Sequence, residues 1–64
     1  MAKPKLPADL TKPQEKAGYC RNKALELLQA AGNAQDPDNK LALLNLSEQW
    51  MMLALFYEKK AKEG

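Results

Sequence analysis

Apolar positions in the second half of the chain recur at helical spacing on more than one side. Leu43, Leu46, Trp50, Leu53, Ala54, Tyr57 and Ala61 stand three and four residues apart with no charge among them, the stripe by which one helix packs on another. A second group, Leu41, Leu44, Met51, Met52, Leu55 and Phe56, lies on roughly the opposite side, diluted only by Asn45, Glu48 and Gln49 until Glu58. A helix that is apolar nearly all round belongs inside something larger than one neighbour. The first half carries a simpler stripe of Ala17, Cys20, Ala24, Leu27, Leu28 and Ala31, with Leu25 on its flank.

The boundaries are written in turn and cap chemistry. Pro4 and Pro7 oppose helix, and Lys3 and Lys5 favour a solvated segment, so residues 1–10 read as an extended arm. Helix 1 is expected over about 12–31. Thr11 and Gln14 have capping-box spacing, Pro13 is tolerated in the first turn, and Gly32 and Asn33 suit a left-handed exit. Helix 2 is expected over about 37–61, with Asp36 as cap, Pro37 in the first position and Asp38 at the positive end of the dipole. Lys59, Lys60 and Lys62 suit its other end.

Two helices joined by so short a connection form an antiparallel hairpin. The predicted hairpin core is Ala17, Cys20, Ala24, Leu27, Leu28 and Ala31 against Leu43, Leu46, Trp50, Leu53, Ala54 and Tyr57, small residues opposite large ones. Leu10, and secondarily Leu6, is expected to fold back over Phe56 or Tyr57, leaving residues 1–5 mobile. A chain of 64 residues is near the lower limit for independent folding. The second apolar group, Leu41, Leu44, Met51, Met52, Leu55 and Phe56, is therefore expected to be an interface. The fold class is all-α, an antiparallel hairpin with an N-terminal arm that pairs into a homodimeric four-helix bundle.

Composition narrows the chemistry. There is no His, and the single Cys20 sits mid-stripe, where a small buried hydrophobe is the better reading than a reactive thiol. No acid, base and nucleophile are assembled by any motif, and no catalytic, metal-binding or cofactor-binding residue is expected. Asp36 and Asp38 are explained by capping. The net charge of +2 is ordinary for a soluble protein, although Lys3, Lys5, Lys12, Lys16, Arg21 and Lys23 concentrate positive charge near the N-terminus. Solvated charge is preferred there over a phosphate-contacting arm. The apolar run from Trp50 to Tyr57 is far short of a membrane span, and a cytoplasmic address is expected.

Cys20-Arg21 with Ala24, then Asp36-Pro37, Leu43-Leu44-x-Leu46, Trp50 and Leu53-Ala54 resembles a group of short helical-hairpin proteins common in alphaproteobacteria. The similarity covers about residues 15–58, with Ser47 standing where a small apolar residue would be typical. It implies the hairpin fold and no activity. The functional expectation is a non-enzymatic protein–protein interaction module, self-associating or binding a partner helix. A small nucleic-acid-associated protein and an amphipathic membrane-surface protein are the alternatives.

Overall fold

The computed structural model describes residues 6–63, and the N-terminal residues expected to be mobile lie outside that range. Two helices, α1 over Pro13–Asn33 and α2 over Pro37–Glu63, pack against each other as an antiparallel hairpin. The molecule measures 42 × 19 × 17 Å, close to the ~40 Å that α2 spans at 1.5 Å per residue.

Helix α1 starts one residue later than the Thr11 cap would place it. Lys12 precedes a proline, which excludes it from helical backbone and holds it extended at φ −92°, ψ 142°. Pro13 is therefore the first helical residue and Glu15 the third. The backbone N–H of Lys12 donates to Glu15 Oε1 at 3.3 Å, the reach-back that Gln14 was expected to supply.

The other end of α1 corrects the expected left-handed exit. No described residue has a positive φ. The helix runs through Gly32 and Asn33 and leaves by Ala34 in extended backbone, whose N–H donates to the Ala31 carbonyl at 3.2 Å. An extended exit carries the chain to α2 in only three residues. Asp36 then caps α2. Its Oδ1 accepts the Asp38 N–H at 3.2 Å and its carbonyl accepts the Lys40 N–H at 2.9 Å.

The core is narrow. Ala17, Cys20, Ala24 and Ala31 of α1 and Ser47, Trp50 and Ala54 of α2 are buried, with Trp50 8% exposed. Cys20, Ala24, Trp50 and Ala54 form its centre, and Leu6, Tyr19, Leu27, Met51, Leu53 and Tyr57 pack half-buried around it. Small residues on α1 let the backbones approach, and the indole fills the space between them. Leu43 is likewise half-buried.

Two expected core residues are not in the core. Leu28 is 43% exposed and Leu46 38%. Each stands about 40–80° round its helix from the line of fully buried residues, at 100° per residue, and one facing helix covers only the centre of that arc. Ser47 occupies buried space instead. Its hydroxyl donates to the Leu44 carbonyl at 2.8 Å, which satisfies it inside its own helix and removes the cost of burial.

The arm also reaches the hairpin, but the residue packed on the core cluster is Leu6, not Leu10, and the Leu10 N–H donates to the Pro7 carbonyl at 3.2 Å, closing a turn in the segment.

Truncating the one large core side chain tests this description. Trp50→Ala should cost about 3–5 kcal/mol, a large share of what so small a fold holds. Loss of helical circular dichroism at room temperature is the expected reading. An unchanged thermal midpoint would place the indole in solvent.

Candidate functional site

The two broad sides of the hairpin differ in kind. On one side the rings of α1 and α2 interlock beneath lysine side chains. Tyr19 meets Trp50 edge-on, with ring centroids 5.8 Å apart and planes at 63°. Lys16 Nζ lies 5.4 Å from the Tyr57 ring centroid, and Lys23 Nζ 5.6 Å from that of Tyr19. The aliphatic stems of these lysines cover apolar surface while their ammonium groups meet water and the ring faces. Leu46, eleven residues before Tyr57 and so on the same side of α2, stays 38% exposed beside these rings.

The other side is marked by the ion pair of Arg21 with Glu58, which bridges α1 and α2. Leu25 and Leu28 follow Arg21 by four and seven residues and so share its side of α1. Leu55, Met51 and Leu44 precede Glu58 by three, seven and fourteen residues and share its side of α2. The two helices thus contribute to one apolar face. Leu25, Leu28, Leu44 and Leu55 are exposed on it, and Leu55 is 58% exposed. Towards the chain termini, the ion pair together with Gln14, Ala17, Gly18, Ala61 and Lys62 lines a shallow groove of about 320 Å³.

Of the expected interface residues, Leu41, Leu44, Met52, Leu55 and Phe56 are exposed, Met52 the most at 67%. Met51 is the correction. It lies half-buried against the core cluster, because it stands only about 60° round the helix from Ala54. Phe56 belongs to neither broad side. It points about 200° from Ala54, packs edge-on against Tyr57 at 5.3 Å and carries Lys60 Nζ 5.6 Å above its ring. The periodicity of α1 makes Leu25 a flank residue and Leu28 a core residue. Their place on the open face depends on the hairpin's register, which the periodicity of one helix does not contain.

The other candidates resolve into structure. Cys20 is fully buried, and desolvation pushes its thiol above the ordinary value of 9.0. Among the described residues no three His, Cys, Asp or Glu side chains converge, and no helix is long and apolar enough to cross a membrane. Of the N-terminal cations, Lys16 and Lys23 lie over tyrosine rings and Arg21 pairs with Glu58. Lys12 is exposed.

Comparison with known protein families, curated proteins and solved structures found no match to this chain.

Burial of Cys20 yields a test with a definite sign. A thiol that ionises less readily in the folded state leaves stability level below about pH 9, and that contribution is lost as the pH rises through the folded-state value. Alkylation by iodoacetamide at pH 7.5 should therefore be much slower for the native chain than for the chain in denaturant. Equal rates would mean that the thiol is open.

Proposed function

We propose that the protein is a non-enzymatic interaction module that completes its core by docking an apolar helical surface on the face bearing Leu25, Leu28, Leu44 and Leu55. The observation that carries this reading is the surplus of exposed apolar side chains on a fold with so small a core. Among the described residues, eight large hydrophobic side chains are exposed.

The simplest partner supplies two more helices, giving a homodimeric four-helix bundle in which each hairpin covers the other. A phosphate-binding role is less well supported, since Lys16, Arg21 and Lys23 already serve intrachain contacts. A membrane-surface role loses Trp50, which lies in the hairpin core. A reducing, cytoplasmic setting suits the free buried thiol of Cys20.

Met52→Lys combined with Leu55→Lys tests this reading. Both side chains are exposed in the single chain, so the change should move the stability of an isolated hairpin by no more than about 0.5 kcal/mol per site. A docked face behaves differently. The variant should lose the second copy, or the other protein, that the wild type retains in sedimentation and in affinity capture from its native extract. A wild type and variant that are both monomeric and capture the same proteins would overturn the proposal.

A further inference from the structure

The outward ridge of α2 is not uniformly apolar, and its charges carry information about how a partner lies on it. Leu44, Glu48, Met52, Leu55 and Lys59 succeed one another at spacings of four, four, three and four, so they form one continuous ridge. All five are exposed. Among the described residues, neither Glu48 nor Lys59 makes an ion pair within the chain. One negative and one positive group thus stand eleven residues apart, about 16 Å along the helix, on either side of Met52 and Leu55.

We infer that the occupant of this face is a second copy of the chain, with α2 running antiparallel to α2 of its partner about a two-fold axis level with Met52 and Leu55. The inference rests on the interaction-module reading above and adds the identity and direction of the partner. In this arrangement Glu48 of each copy faces Lys59 of the partner subunit, twice by symmetry. Met52 of each copy lies opposite Leu55 of the partner subunit, so the apolar centre is closed by the same ridge. At the ends of the pairing Asn45 falls opposite Lys62 of the partner subunit and Leu44 opposite Glu63 of the partner subunit, so no like charges meet. A parallel pairing does the reverse. It sets Glu48 beside Glu48 of the partner subunit and Lys59 beside Lys59 of the partner subunit, which repel. The ridge therefore selects direction by attraction in one arrangement and repulsion in the other, as charged flanks do in coiled coils. Leu25 and Leu28 of α1 share the side of the hairpin that carries Leu44 and Leu55 of this ridge, so they extend the buried layer onto the second helix.

Charge reversal in the full-length chain tests this, with sedimentation equilibrium from one to several hundred micromolar at low ionic strength. Circular dichroism on the same samples confirms that each variant stays helical. Wild type should dimerise. Glu48→Lys and Lys59→Glu should each weaken dimerisation about tenfold, since each loses two attractive pairs and gains two repulsive ones. The double reversal should return the dissociation constant to within about threefold of wild type, and the spread among the four should shrink at 1 M salt. Singles within twofold of wild type, or a double no better than the worse single, would overturn the antiparallel register while leaving self-association intact. A wild type that stays monomeric at several hundred micromolar would overturn the second copy itself. Affinity capture would then decide whether the interaction reading survives with a different protein.

Discussion

Close approach of α1 and α2 at Cys20, Ala24 and Ala54 is the constraint on which the rest of the structure depends. Three side chains with no exposed surface let the helix axes come together, and Trp50 fills what space remains. The same choice limits what α1 can do for α2. A helix that presents alanine and cysteine to its neighbour brings little width, so it covers the centre line of α2 and leaves the flanks to other elements. Leu28 and Leu46, just off that line, stay in water for this reason.

The flanks are treated unequally. On the side of Tyr19 and Tyr57, aromatic rings spread sideways from each helix and lysines lie over them, so most of the seam is covered within one chain and Leu46 is the leucine left exposed there. On the side of Arg21 and Glu58 a single ion pair joins the helices, with roughly half of the arginine and a third of the glutamate side chain in solvent. Such a pair contributes little on its own. Next to it the leucines are bare.

The start of α2 and the buried centre line were largely legible in the sequence. Asp36-Pro37-Asp38 announces a helix start by chemistry that acts within four residues, and the predicted cap hydrogen bond is present. Ala17, Cys20, Ala24 and Trp50 follow from period alone. What escaped sequence reasoning depends on geometry between segments. The proline after Lys12 shifted the cap by one residue, Ala34 replaced a left-handed exit by an extended one, and Ser47 hid its hydroxyl by bonding within its own helix. The joint face of Leu25 and Leu28 with Leu44 and Leu55 needs the hairpin's register, which the pairing of Arg21 with Glu58 reveals.

The central claim is that the outward ridge of α2 beside the open face is covered in solution, and Met52, on that ridge, reports on it. Its thioether is 67% exposed in the single chain, while the adjacent Met51 packs half-buried against the core and serves as an internal reference. Oxidation by hydrogen peroxide followed by peptide mass spectrometry reads both sites in the same sample. Association predicts that Met52 oxidises readily at sub-micromolar concentration and several-fold more slowly at hundreds of micromolar, while Met51 changes much less between the two. A Met52 that oxidises at the rate of an unfolded chain at every concentration would contradict the account.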